Sequence, residues 1–280
     1  MVLGQDVWDE TSQRPLTEVI KERFRDTRII PPLTSESFLR SSSLAGLCPR
    51  EEVLCGLLNV TRKEEISPDL NTIFSLGAGM HWALQNKILP EIGVLIGRWS
   101  CVDCGASMGG HVPGKPLQDT LILRPDHCLA CGQEELVYRE LYFRNEEYRI
   151  GGHPDGFVRV PHRPDPGVLE AKSIAQFASF EVKGAPKMDH VVQSQIYLWF
   201  TGLQWSVILY WVKGLNGVEG FIEHFVERDE ETIAAVQTAI KSIWAGLLPG
   251  GSLPPRICAK ADCVRAQACS VSTPCFKEKA

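Results

Sequence analysis

No stretch of this 280-residue chain is long and apolar enough to cross a bilayer as a helix. The opening residues, MVLGQDVWDE, lack the basic stretch and apolar run of a secretory signal. The chain is therefore expected to have no membrane partner and to be cytoplasmic, in the host cytoplasm if viral. It also lacks an excess of positive charge, since 29 Lys and Arg face 34 Asp and Glu for a net charge of −5. That excludes a broadly basic coat gripping nucleic acid by charge alone, and leaves room for a local channel and a carboxylate-built metal centre. No internal repeat, low-complexity segment or helicase motif is present. What remains is an ordinary globular composition, 44% hydrophobic and 22% charged, enough for one elaborated domain or a domain with appendages.

Cysteine is what the chain has in quantity. Ten cysteines are many for an intracellular protein, where disulfides are disfavoured, and their clustering points to metal ligation. Cys101-x2-Cys104 and Cys128-x2-Cys131 present four thiolates on two knuckles, the pattern of a zinc ribbon inserted at about residues 99–134. Gly105 and Gly132 supply the left-handed turn that such knuckles use. The ribbon touches DNA, touches a partner or braces the core, and spacing does not choose among these. A second group, Cys258, Cys263, Cys269 and Cys275, lies in residues 256–276. Cys48 and Cys55 stand apart, Cys55 reading as a small buried hydrophobe.

Periodicity predicts a mixed α/β core. Residues 1–33 read as a peripheral arm with a charged helix from Thr17 to Arg28, and 34–280 as the main domain. Helices are expected over Ser41–Thr61, Leu70–Leu89, Asp189–Thr201 and Asp229–Leu247. In the second, Ile73, Leu76, Met80, Leu84 and Ile88 are expected to be buried, with His81 beside them. Strands are expected over 94–100, 136–143, 148–152, 156–160, 168–173, 206–213 and 220–227.

The chemistry lies in an acidic pair split across two of these strands. Asp155 follows His153-Pro154, and Glu170-Ala171-Lys172 comes one short loop later, giving D…E-x-K. Residues two apart on a strand share a face, so Glu170 and Lys172 converge. Two carboxylates suit Mg²⁺ or Mn²⁺, and a cation beside them suits an attacked phosphodiester. On solvated strands E-x-K is common, but here Leu169 and Ala171 alternate with the charges, and Gly152 and Gly156 bracket the turn that aims Asp155.

Two further motifs stand in order around this set, Gly77-x3-His81 upstream and Gln193-x3-Tyr197 downstream, the latter pair on one helix face. Together the four motifs resemble the PD-(D/E)xK nuclease superfamily in its RecB-like branch, which includes the CRISPR-adaptation exonucleases. The likeness covers residues 41–275 apart from the 101–131 insert. It implies a restriction-endonuclease-like α/β fold, a central mixed sheet flanked by helices, with the zinc-ribbon insert and the C-terminal Cys cluster as additions. It implies that His81, Asp155, Glu170 and the Ala171 carbonyl hold Mg²⁺ or Mn²⁺. Lys172 is then expected to orient water, Gln193 to position Lys172 or the strand, and Tyr197 to stack or bond in the DNA-binding face. The implied substrate is DNA, single-stranded or with free ends, with a helicase, recombination or CRISPR-adaptation partner in view.

Cys48-Pro49-Arg50 resembles the motif with which RecB-like nuclease relatives hold a 4Fe–4S cluster, one N-terminal cysteine joining three from the tail. The usual tail is C-x2-C-x5-C, whereas this one reads C-x4-C-x5-C-x5-C, so four cysteines compete for three places and Cys263 is dropped first. Zinc on the four tail cysteines is the alternative. Arg23, Arg25, Arg28, Lys183, Lys187 and Lys213 read equally as DNA contacts or as solvated faces. A non-catalytic DNA-binding or adaptor protein on the same fold is the rival function, and the full set of site residues argues against it.

Overall fold

The two longest strands of the chain, nine residues each, pair side by side and are largely buried, and the rest of the main sheet builds on them. The structure, a computed structural model, describes residues 15–34, 36–215 and 217–277; the first 14 residues of the expected arm lie outside these. In chain order the first elements are helix α1 (Leu16–Arg23), strand β1 (Asp26–Ile30), β2 (Leu39–Arg40), α2 (Ser41–Leu44), α3 (Pro49–Leu57), β3 (Arg62–Ile66) and α4 (Pro68–Ala83). A π-helical turn (Leu84–Ile88) and α5 (Leu89–Glu91) lead into β4 (Leu95–Cys101), β5 (Ser107–Met108) and β6 (Ile122–Leu123). Strands β7 (Leu136–Arg139), β8 (Phe143–Asn145), β9 (Ile150–Gly152), β10 (Gly156–Val158) and β11 (Gly167–Ala175) follow. A 3₁₀ turn (Gln176–Glu181), α6 (Met188–Thr201), β12 (Trp205–Lys213), β13 (Phe221–Glu227), α7 (Glu230–Gly246), α8 (Val264–Ala268) and α9 (Ser272–Lys277) complete the chain.

Among the described residues, eight strands join in one sheet ordered β13-β12-β11-β10-β4-β5, with β6 and β7 also paired to β4. The β11–β12 pair is parallel, bridged by α6, and its neighbours are antiparallel, so the sheet is mixed. Helix α6 packs on β11 and β12, α7 packs on α6, and α4 crosses β11. This is the expected mixed sheet with helices against it. None of the described helices is long and apolar enough to cross a membrane.

Several boundaries differ from the expected ones for identifiable reasons. The charged arm helix stops at Arg23, because Asp26–Ile30 pairs with Arg62–Ile66 as an antiparallel ribbon carrying Arg28 opposite Glu64. The expected Ser41–Thr61 helix is broken at 45–48: Pro49 disfavours helical backbone at Cys48, which is extended at φ −98 and ψ 108. The second helix passes through a π-helical turn at Leu84–Ile88, beginning three residues after His81, a common device beside functional groups. Met80 and Leu84 are buried as expected, but Ile73 and Leu76 are about half exposed: among the described residues α1 packs on α4, with Asn71 Nδ2 donating to the Phe24 carbonyl, and leaves these two side chains uncovered. The 136–143 strand splits at Glu140-Leu141-Tyr142. Finally, β11 is buried on both faces rather than one, as central parallel strands are.

The knuckle glycines take the left-handed backbone expected of them, Gly105 at φ 71 and Gly132 at φ 78. Gly152 serves close approach instead: a Cβ there would lie 1.8 Å from Ser41 Oγ and 3.1 Å from the Tyr197 ring. Gly152→Ala is therefore expected to cost about 1–3 kcal/mol in chemical denaturation, by overpacking. Adding Ser41→Gly should return most of that loss. An equal loss in the single and double variants would place the strain elsewhere.

Candidate functional site

Asp155 is the hinge of the site. It lies in the turn just before β10, and its Oδ2 accepts the Ala171 backbone N–H at 2.7 Å, fastening the turn to the middle of Glu170-Ala171-Lys172. Its Oδ1 lies 3.3 Å from His81 Nδ1, which α4 brings across β11. The bond to Asp155 raises the His81 pKa against the opposing effect of burial.

Glu170 is 0% exposed, and neither carboxylate oxygen receives a hydrogen bond of sound geometry. The Lys172 ammonium touches its Oε1 as an ion pair. Burial pushes the Glu170 pKa up to about 8; the like charge of Asp155 adds to this, and Lys172 opposes it. Burial works to lower the Lys172 pKa, but the carboxylates of Glu170 and Asp155 outweigh it and hold the ammonium charged. A buried carboxylate short of donors is costly unless a cation completes it. Hard oxygen donors of Asp155 and Glu170 with an imidazole beside them fit Mg²⁺ or Mn²⁺.

On the far side, Lys172 Nζ donates to Gln193 Oε1 at 3.3 Å, Gln193 Nε2 donates to Tyr197 Oη at 3.3 Å, and Ser41 Oγ donates to Tyr197 Oη at 3.1 Å. The helical spacing of Gln193 and Tyr197 puts both on this chain of contacts, with Gln193 against Lys172. Tyr197 differs: at 2% exposure it cannot stack on a nucleobase, and it braces Gln193 from within. Sequence reading passed over Ser41, Gln85, Glu140 and Tyr210. Gln85 Nε2 donates to the Asp155 carbonyl and to Glu140 Oε1, both at 2.8 Å, and its place four residues after His81 was the available signal. Tyr210 stands opposite Lys172 across β11–β12, its Oη 2.7 Å from His190 Nδ1. Burial, with Lys172 and Lys187 nearby, drops the His190 pKa to about 4, so that imidazole is neutral. A cleft of about 570 Å³ meets this set at His81, Gln85 and Glu140, with Ile73, Phe74, Trp82, Ser173 and Lys213 also lining it.

The four ribbon cysteines come together, with all four sulfurs within 4.8 Å of one another and 3.6 Å between Cys101 and Cys131 and between Cys104 and Cys128. A tetrahedral zinc with Zn–S of about 2.3 Å sets its sulfurs about 3.8 Å apart, so the donor set fits Zn²⁺. The two knuckles repeat one hydrogen-bond pattern: Cys101 and Cys128 N–H reach the carbonyls of Ala106 and Gln133, and Gly105 and Gly132 N–H return to the cysteine carbonyls. Backbone N–H groups of Ala130 and Cys131 lower the Cys128 pKa to about 7. The insert does not stand off from the core, since Cys101 ends β4 and Cys128 packs in one cluster with Trp99 and Leu136.

At the other end of the molecule, Cys48, Cys258, Cys269 and Cys275 line one pocket. Cys263 does not; its sulfur accepts the Ala266 N–H and caps α8. The tail is stapled to the N-terminal helices by Arg265 to the Gly46 carbonyl (2.7 Å) and Arg50 to the Pro254 carbonyl (3.0 Å). Cys55 is buried beside Val271, as expected. Of the basic residues, Arg28 pairs with Glu64 and Lys187 with Glu181.

No protein-family model matches the sequence, and no curated protein matches it. Among solved structures the chain is similar to an alkaline exonuclease from Laribacter hongkongensis, at 18% identity and a TM-score of 0.44 over 75% of this chain and 87% of that one. That exonuclease has also been solved with dAMP. The chain is similar to SSO0001 as well, at 15% identity and a TM-score of 0.41 over 86% and 100%. A phage related exonuclease from Haemophilus somnus 129PT gives 12% identity and a TM-score of 0.36 over 75% and 93%. With overlaps this partial, the chemistry of the site rests on its own residues.

Because burial raises the Glu170 pKa to about 8 even with Lys172 beside it, protons compete for this carboxylate as pH falls, and a divalent ion held there would have to displace them. Mn²⁺ affinity measured calorimetrically is expected to rise by up to about tenfold per pH unit between about pH 6 and pH 8, then level. Without the ion, the stabilisation from the buried neutral acid is present below its unfolded pKa of about 4.3 and is lost as pH rises through the folded one. A flat affinity profile would show that Glu170 does not hold the ion.

Proposed function

We propose that the protein is a metal-dependent deoxyribonuclease of the RecB-like PD-(D/E)xK kind, acting as an exonuclease on single-stranded DNA ends. The observation that carries this is the fully buried, donor-starved Glu170 carboxylate beside the Lys172 ammonium, with Asp155 fastened to the same strand. His81, Asp155, Glu170 and the Ala171 carbonyl would hold Mg²⁺ or Mn²⁺. Bound there, the ion supplies charge to polarise the phosphate and lower the pKa of an attacking water. Lys172, kept protonated by two carboxylates, orients that water and offsets charge developing on the phosphate oxygens. Gln193 limits where the ammonium can point, and Tyr197 with Ser41 limits where Gln193 can sit. A surface E-x-K pair in solvent would need none of this support.

The thiolate sites extend the proposal. Cys101, Cys104, Cys128 and Cys131 would hold Zn²⁺. Cys48, Cys258, Cys269 and Cys275 would hold a 4Fe–4S cluster, which spreads its thiolates wider than one zinc ion does. The pocket lined by Cys48, Cys258, Cys269 and Cys275 supports this set, while Cys263, beside Cys258, already accepts the Ala266 N–H with its sulfur. Zinc on Cys258, Cys263, Cys269 and Cys275 would leave Cys48 without a role.

With Mn²⁺ and labelled single-stranded or duplex DNA, Asp155→Ala, Glu170→Ala and Lys172→Ala should each lower cleavage by at least about a hundredfold. Glu170→Gln, which keeps the shape of the neutral acid but cannot ionise to hold an ion, should do the same with an unchanged Tm in metal-free buffer near neutral pH. Wild-type rates in purified Glu170→Ala would sink the assignment. An anaerobic preparation should contain about four Fe and one Zn per chain with visible iron–sulfur absorbance. Zinc alone would remove the cluster.

A further inference from the structure

We infer that Phe177 and Phe180 form a base-stacking platform for an unpaired nucleic-acid strand entering or leaving the carboxylate site, an inference that rests on the nuclease reading above. Strand β11 carries Glu170 and Lys172 and runs directly into the 3₁₀ turn Gln176–Glu181. That turn is firmly anchored. Ser179 points inward, its Oγ donating to the Gln176 carbonyl at 2.8 Å, and Val182 is 0% exposed in a cluster with Ile174, Ile208 and Tyr210. The Lys187 N–H donates to Tyr210 Oη at 3.0 Å and closes the segment on its far side. Phe177 and Phe180 nevertheless stand 77% and 67% exposed, with Met188 at 69%. Two aromatic rings held outward by a fixed backbone present apolar faces that water solvates poorly, and such grouping marks a contact surface.

The surroundings select the occupant. Ser173, two residues beyond Lys172, lines the cleft with Lys213, which pairs with Ala175 at the end of β11. Lys183 lies in the turn after the 3₁₀ segment. Along the chain that leaves the strand of Glu170 and Lys172, the rings lie between Lys213, opposite Ala175, and Lys183, and this order matches a nucleic-acid strand whose phosphates meet the cations and whose bases meet the rings. The ligand is a single strand rather than a duplex, because paired bases already stack on each other and expose only their edges. Base identity is not read, since every base has a π-face.

The test compares two fluorescent strands of about 20 nucleotides, one of dT and one abasic with equal charge, by anisotropy without a divalent ion. The full-length protein is expected to prefer the dT strand by about tenfold for each stacked base. F177A/F180A should lose that preference and keep its abasic affinity and Tm, while F177W/F180W retains it. Equal binding of the two strands by the wild type, no binding of either, or an unchanged preference in F177A/F180A overturns the platform. Cleavage with Mn²⁺ separates this from the underlying reading. A wild type that prefers dT but never cleaves removes the nuclease and leaves the platform. One that cleaves while F177A/F180A keeps the preference removes the platform alone.

Discussion

The bond from the Ala171 N–H to Asp155 Oδ2 decides where everything else in the site stands. It joins a turn preceding one strand to the middle of the next, and it points the two carboxylates at a common space while sparing Asp155 from pairing with Lys172. The antiparallel register that sets Gly156 opposite Leu169 makes this bond available. From there the site grows outward: His81 from α4 on one flank, and Lys172, Gln193, Tyr197 and Ser41 in a chain of polar contacts on the other. Each partner restricts the next, which is how a flexible lysine is held in one place without a rigid side chain of its own.

The cost of this arrangement falls on Glu170. A carboxylate withdrawn from water and denied hydrogen bonds is unfavourable in the folded chain, and it shows as a pKa far above the carboxylate norm. Such strain is kept where a ligand relieves it. The thiolate centres stand in contrast. In the ribbon, backbone N–H groups favour the thiolate at Cys128, while at Cys131 the Gln133 N–H is outweighed by the neighbouring sulfurs and burial, which push that thiol up to about 12, so a bound ion would have to take up the charge of the crowded sulfurs. In the tail pocket the cysteines come from both ends of the chain, and arginine-to-carbonyl bonds hold those ends together. A bound group there would tie folding of the termini to metal content.

Where sequence reading failed, packing had overruled local preference. The break before Pro49 was legible in principle, since proline restricts the residue before it, yet an apolar stripe running through it suggested one helix. The β1–β3 ribbon was not legible, because charged residues such as Arg62-Lys63-Glu64-Glu65 form a strand only against the distant partners Ile30, Ile29, Arg28 and Thr27. Burial along α4 was misjudged for a similar reason: apolar spacing shows which residues share a face, not whether another element arrives to cover it.

His81 and Gln193 came forward as candidates only through the motif order of the resembled family, whereas residue type and strand period alone brought forward Asp155, Glu170 and Lys172. The same holds for the ribbon, whose two CxxC knuckles carry their own turn geometry in Gly105 and Gly132. Only the tertiary structure decided that Tyr197 is a buried brace, that Ser41, Gln85 and Tyr210 belong to the site, and that Cys48 rather than Cys263 lines the tail pocket. Those outcomes depend on contacts between residues far apart in the chain, and local pattern carries no record of distance in space.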